Sequence, residues 1–332
     1  MVKLKLADFE RSSEFYKTIE LVANIKRSSS SKYKEGVYRI KIKDGKIIDS
    51  TILFPLQESR GLFFENDKFC YSNSDTVFIC GNNPRSIHSD SFGYIHNIQL
   101  RVEELLICSS QNDTLFIYDA NTGKKIWSWS AYSDGYSQLV KLSGDIILKN
   151  TEEYDKFSKI NKRCYLLTEE IRSNDKYRKG LFINSACFND KYVWFSSLNT
   201  GYVYEIERIS KIVKRYPQKY ISPHGVYVDN KHFLITSTEE NMIYYSKDNI
   251  NYRIQIENTS QIQKFGISKW LQTSRVFDNM IIAIDSMTNE IIVIDFDKLY
   301  YDKIPFTKEW RMHDIFLLDS NQVNLLRKRQ NH

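Results

Sequence analysis

Short runs in which apolar and polar residues alternate recur along the chain, with turn-forming residues between them. A period of two places every second side chain on one face of a strand, so the pattern predicts β-strands nearly throughout. The clearest unit runs from His96 to Ser130, "HNIQLRVEELLICSSQNDTLFIYDANTGKKIWSWS". It divides into "IQLRVE", "ELLICSS", "TLFIYDA" and "KKIWSWS", four strands in a row. Between the last two, "DANTGK" offers Asn121 and Gly123, residue types that tolerate the positive φ of a tight hairpin.

The unit repeats. Copies open at Asn184, at His224 and near Ser274, with weaker ones near Arg60 and Ser137, and a last opening strand, "HDIFLLDS", begins at His313. Successive openings are 36, 41, 47, 40, 50 and 39 residues apart. Four-stranded units at ~40–45 residues mark a β-propeller, in which each sheet covers its neighbours around a central axis. Before Arg60 lie "IELVANIK", "EGVYRIKIK" and "KIIDSTILF", three strands without an innermost partner. The lone strand at His313 supplies it, so N- and C-terminal strands are expected to close the ring in one shared blade. This reading gives an all-β, seven-bladed propeller, with six blades as the alternative because the Arg60 and Ser137 copies are irregular. Residues 1–332 form a single domain, and "KRSSSSKYK" is a polar hairpin loop rather than a linker.

Composition agrees. Apolar residues make up 42% and aromatics 14%, sufficient for a substantial core, while Tyr, Phe, Ile and Val favour strands. The net charge of +6 is interleaved with acids, and "KIVKRYPQK" and "LRKRQ" are short solvated groups. A nucleic-acid binder would need a contiguous basic face, so this class is disfavoured. No run approaches the ~18 apolar residues of a membrane span, and "MVKLKLADFERSSEF" lacks the apolar core of a secretory signal. Five cysteines without a CxxC pair fit reduced, buried thiols and a cytoplasmic location.

"DTLFIYDANTGKKIWSWS" resembles the blade signature of quinoprotein-type and arylsulfotransferase-like propellers through Asp119, Thr122, Gly123, Lys124 and Trp127. "ISPHGVYVDNKHFLITSTEENMIYYS" is similar to the openings of NHL and SMP-30-like propellers through Pro223, Gly225, Val226, Val228 and Asp229. The resemblance covers about half the blades and implies the fold, since such propellers include enzymes, ligand binders and scaffolds. The remaining blades lack the Trp–Gly pattern that quinone binding implies, no WD dipeptide recurs, and the acidic calcium set of SMP-30-like lactonases has no counterpart.

Of six histidines, His96, His224 and His313 stand at the heads of repeated strands in "GYIHNIQL", "ISPHGVYV" and "RMHDIFLL", and Asn184 holds that place in "LFINSACF". Innermost strands of a propeller line its channel, so these heads are expected to converge at one mouth. Ser137 and Ser274 would fill equivalent places, and Arg60, Arg275 and Arg311 would bring positive charge. Imidazoles there can transfer protons near neutral pH or hold a divalent metal with one position open. With arginine they can bind and polarise a carboxylate, sulfate or phosphate. A lyase, hydrolase or transferase acting on a small anionic or peptide-borne group follows, with His224 as acid/base beside the space left by Gly225, and Arg311 or Arg275 stabilising negative charge. Two plainer readings stand beside it: strand-head polar residues that only tie blades together, and a scaffold whose loops bind a protein partner. GxSxG, HExxH and P-loop signatures are absent, and strings such as "DSMTNE" read as hairpin turns. His88 and His232 are expected to be exposed, and the aromatic strands "YVWFSS" and "MIYYS", with Trp127 and Trp129, to be packing surface.

Overall fold

The computed structural model describes residues 1–27, 34–131, 133, 139–141, 146–148, 164–166, 177–178, 181–257 and 270–330. Six innermost strands can be named in chain order: β1 (Leu62–Glu65), β2 (Ile95–Arg101), β3 (Ile183–Phe188), β4 (Pro223–Val228), β5 (Leu271–Phe277) and β6 (Trp310–Leu318). Each leads an antiparallel four-stranded sheet, here called blades 1 to 6, and β6 in turn packs beside β1. The ring therefore closes with six blades.

Six apolar layers glue the ring, one between each neighbouring pair. Ile98 and Ile107 of blade 2 meet Cys70 and Ile79 of blade 1. Trp129 and Ile117 of blade 2 meet Phe195 and Ile206 of blade 3, so the tryptophan strand is packing surface, as expected. Blades 3 and 4 share Trp194 and Tyr244, blades 4 and 5 share Tyr245 and Ile292, and blades 5 and 6 share Ile284 and Ile40. Phe316 and Val22 of blade 6 join Phe64 and Phe69 of blade 1. A middle strand lies between two such layers and is apolar on both faces, which is why "MIIAID" and "EIIVID" read as continuous runs. Inner and outer strands alternate because one of their faces meets the channel or water.

The repeat extends to the turn joining the second and third strands. Asp113, Gly201, Asn241 and Asn289 all take positive φ there, between 43° and 76°. Their carbonyls accept from the amides of Ala131, Tyr220, Ile256 and Phe306, the residues that leave each outer strand, at 2.7–2.9 Å. Gly123 likewise supplies the positive φ of the "DANTGK" hairpin, while the Asp119 carboxylate accepts from the amides of Asn121 and Thr122.

Two readings need correction. The Ser137 copy is not a seventh blade: its short strands Leu139–Lys141, Ile146–Leu148, Cys164–Leu166 and Tyr177–Arg178 form a separate sheet with one parallel pair. β2 packs directly on β3, so no blade is wedged between them. Ser137 itself lies outside the described residues, as does most of the "KRSSSSKYK" loop. The opening residues also do more than expected, since Val2–Lys5 and Glu10–Arg11 add fifth, parallel strands to the outer edges of blades 4 and 5. Leu6 and Phe9 between them enter the core.

The chain then runs through Thr18–Arg27, which pairs antiparallel with β6 from Glu20↔Leu318 to Arg27↔Trp310. Both ends of the sequence thus meet inside blade 6, as the strand count requires. A helix, Ser320–Gln330, follows β6 and buries Val323 and Leu326 over the blade 6–blade 1 junction. Its start is a capping box: the Asp319 carboxylate accepts from the Gln322 amide at 2.8 Å, and Gln322 Oε1 accepts from the Asp319 amide at 3.0 Å. Among the described residues no helix is long and apolar enough to cross a membrane.

Candidate functional site at the axial mouth

Five of the six inner strands carry a break in pairing register within their first four residues. The unmatched residues are His96 in β2, Asn184 in β3, Gly225 in β4, Gln272 in β5 and His313 in β6. At blade 1 the Arg60 amide and the Gly61 carbonyl both bond to the Ser72 backbone, at 2.9 and 3.0 Å. Such bulges rotate a side chain out of the sheet's alternation. At or beside these breaks His96, Asn184, His224, Gln272 and His313 line the axial cavity, and Arg60 holds the corresponding place before β1.

The three histidines do converge. The His96 and His313 ring centroids are 4.6 Å apart, and those of His96 and His224 are 5.5 Å apart. Together with Asn97, Asn184 and Gln272 they line a cavity with about 20 Å³ of room for water-sized molecules, enough for one or two waters. Aromatic rings wall the mouth, with Trp270 5.7 Å from His224 and Phe182 6.5 Å from His96. A second cavity continues along the axis past Ser185, Gly225 and Thr273 to Gln99, Tyr227 and Arg275.

Burial sets the charge of these imidazoles. It pushes His96 and His313 far below the ordinary histidine range, and neighbouring imidazoles and the charges of Arg60 and Lys26 push the same way. His224 is lowered to about 4, again chiefly by burial. All three are neutral at neutral pH. His224 Nδ1 lies 3.0 Å from Thr238 Oγ1, which orients the ring and leaves Nε2 as its other polar atom. Among the described residues, His313 Nδ1 is buried with no hydrogen-bond partner.

Two cations adjoin this neutral cluster. Arg60 is only 3% exposed, its guanidinium carbon lies 3.4 Å from the Tyr94 ring centroid, and its Nε has no partner among the described residues. Its carboxylate neighbour among those residues is Glu58, 3.7 Å away and itself largely exposed. Asn24, fully buried, fixes the loop by donating from Nδ2 to the Arg60 carbonyl. Lys26 faces Arg311 across the closing strand pair, and burial followed by the Arg60 charge lowers its amine to about 8.

Other expected residues have different places. Arg275 stands in the second cavity, where its guanidinium grips both Asp314 oxygens at 3.0 and 2.6 Å and donates to the Leu62 carbonyl at 3.0 Å. Asp314 also accepts from the Leu62 amide at 3.0 Å, so the pair ties blades 5, 6 and 1. Ser274 lies two residues past the strand head and bonds to Thr236, and Gln272 occupies the head instead. Asn184 donates to the Pro223 carbonyl and accepts from Ser196, both at 2.9 Å. Arg311 is exposed beside Lys26. Gly225, beside His224, lines both cavities; its φ is +59°, and a Cβ there would stand 2.8 Å from Thr236 Oγ1. His88 is exposed as expected, whereas His232 is partly covered, stacking on Tyr245 and bonding to Asp229.

No group of His, Cys, Asp or Glu among the described residues is arranged to hold a metal. The carboxylate that lines the cavity, Asp314, is engaged by Arg275, and Arg60 and Lys26 make the neighbourhood positive. Lys26, Gln272 and Trp270 were not singled out by the sequence; Lys26 comes to the mouth only through the strand register of blade 6.

Comparison with known proteins bears on the fold alone. No family model matches the chain, and no curated protein matches it. Among solved structures it is similar to a chain of a nidogen/laminin complex, at 10% identity and a TM-score of 0.58 over 91% of this chain and 99% of that one. It is also similar to a protein of unknown function from Bacteroides caccae, at 9% identity and a TM-score of 0.50 over 91% and 100% of the two chains. These likenesses support a β-propeller and leave the quinoprotein and NHL resemblances without a family match.

Proposed function

We propose that the propeller binds a small anionic group at its axial mouth and that the imidazoles beneath serve as proton-transfer groups in a lyase, hydrolase or transferase reaction. The observation that carries this reading is Arg60: a guanidinium almost wholly removed from water, with an Nε unpartnered among the described residues, beside neutral imidazoles and a second cation. A buried cation costs free energy unless it is well paired; Glu58 meets Arg60 only from an exposed position 3.7 Å away, so an anionic ligand would complete the pairing. Lys26 and Arg60 would hold the anion. His224 would act as the base, because its ring is neutral and is oriented by the Thr238 hydroxyl and the Ser222 backbone. Arg275 would serve indirectly, by holding Asp314 and the channel wall.

The direct test is a binding titration with sulfate and oxalate. Saturable binding to the parent chain that falls at least tenfold in Arg60→Gln and in Lys26→Met, with unfolding midpoints unchanged, supports the reading. Equal affinity in all three chains removes it. Turnover of a carboxylate- or sulfate-bearing compound that disappears in His224→Gln while anion binding persists would assign the proton transfer.

The protein-interaction reading has its own observation. Ile209, Ile212 and Val102 are strongly exposed near Arg208, which is bound bidentately by Glu104, and Ile126 beside them is half exposed. Loss of a partner on substituting Ile209 and Ile212 by Ser, with the mouth intact, would favour it.

A further inference from the structure

We propose that an anion enters the axial mouth together with a proton, which the His96–His313 pair takes up from solvent. The inference rests on the reading of the mouth as an anion site and adds how its occupancy responds to pH.

The geometry is that of a cationic cluster whose carboxylate neighbours, Glu58 and Glu35, stand at its rim, Glu58 exposed and Glu35 half-buried. His96 and His313 stand 4.6 Å apart, and His313 Nδ1 is buried without a partner there. The groups around them come from every neighbouring element. Arg60 and Glu58 enter from the approach to β1, Lys26 from the strand paired with β6, and Glu35 from the loop preceding blade 6's third strand. Arg311 and Asp314 lie on β6, His224 on β4, and Arg275 on β5 with its charge already matched by Asp314. The carboxylates acting on the cations nearest the pair are thus Glu58, which is exposed, and Glu35, which is half-buried.

In this state a proton on His96 or His313 would meet two positive neighbours in a setting largely withdrawn from solvent, so both rings stay neutral. An anion seated against Arg60 and Lys26 reverses the sign of the local potential. A negative charge within ~4–6 Å commonly raises such a group by ~1–3 pKa units. The pair shares one short gap and one unpartnered nitrogen, so a single proton on either ring can bond to the other ring or to the anion. The one bond formed is the N–H on the protonated ring; the buffer acid gives up the proton and is left as its conjugate base. By linkage, a site that gains a proton on binding must bind more tightly as pH falls, by up to ~tenfold per pH unit.

Titration calorimetry of the full chain with sodium sulfate at about pH 6 reads this directly, since sulfate itself does not titrate in that range. The experiment is repeated in buffers of different ionisation enthalpy. A heat that varies linearly with buffer enthalpy, with a slope of about 0.5–1 proton per sulfate, is expected. In a chain carrying both His96→Gln and His313→Gln, sulfate should still bind and the slope should fall close to zero. Saturable binding to the parent chain with zero slope would overturn proton coupling and leave the anion site standing. No saturable binding to the parent chain at about 100 mM sulfate, where its affinity should be ample by mass action, would overturn both. The parent chain alone decides these outcomes, so they do not depend on how the double variant folds.

Discussion

The imidazoles of His96 and His313 sit 4.6 Å apart across the channel mouth, although they belong to blades 2 and 6 with the whole of blade 1 between them. The ring closure that makes them neighbours is also what buries them, and burial is what keeps them uncharged. Fold and site chemistry are therefore coupled, and the coupling can be measured.

Acid should weaken the fold through these rings. His224 titrates at about 4 in the folded chain against about 6.5 when unfolded, so its share of stability is complete above about pH 6.5 and is lost as pH falls towards 4. The loss is of order 3 kcal/mol for this residue, and His96 and His313 act in the same direction. Urea unfolding at about pH 7 and pH 4.5 should show a large drop for the parent chain and a smaller one for His224→Gln. Identical drops would mean that His224 is protonated as easily folded as unfolded.

Gly225 should be intolerant of any side chain. With φ at +59° and Thr236 Oγ1 only 2.8 Å from where a Cβ would stand, Gly225→Ala combines backbone strain with a clash. A cost of about 1–3 kcal/mol is expected from the strain alone, read as a lower denaturant midpoint at unchanged m-value. Gly123→Ala, whose Cβ would meet nothing nearer than 4.0 Å, should cost less.

Arg275 and Asp314 should behave as one unit. Removing the guanidinium leaves a carboxylate whose side chain is 7% exposed without its main partner, and breaking such a pair typically costs ~3–5 kcal/mol. Arg275→Met alone should therefore be far more damaging than the Arg275→Met, Asp314→Leu pair, in a double-mutant cycle monitored by thermal unfolding. Additive effects would show that the two side chains stabilise the ring independently.

Much of this architecture is legible in the sequence. The closing strand "HDIFLLDS", its three partners near the start of the chain, and the convergence of His96, His224 and His313 all follow from counting strands in a repeat. The blade number is harder. "SQLVKLSGDIILKN" has strand-like alternation, but whether a sheet enters the ring depends on apolar layers on both of its faces, and blades 2 and 3 already supply each other's. Register hides the rest. Lys26 and Gln272 reach the mouth because of strand pairing and bulges, which leave no mark in hydrophobic periodicity. The helix after β6 does leave a mark, the Asp319–Gln322 capping box, in a segment whose charge alone drew notice.

The opening segment also holds more than its polar look suggests, and it yields a clean stability test. Leu6 is 2% exposed in the layer between blades 4 and 5, so Leu6→Ala should cost ~2–4 kcal/mol while leaving a single cooperative transition. A cost below about 0.5 kcal/mol, typical of surface positions, would place the segment outside the core.

Long-range proton–nitrogen correlation spectra of the histidine side chains at neutral pH, with and without sulfate, bear most directly on the mouth as an anion site. Without sulfate, His96, His224 and His313 should all show neutral-ring nitrogen shifts, and saturating sulfate should move His96 and His313 while exposed His88 stays fixed, with no such movement in Arg60→Gln. Sulfate that leaves His96 and His313 unmoved, or moves them equally in Arg60→Gln, would contradict it.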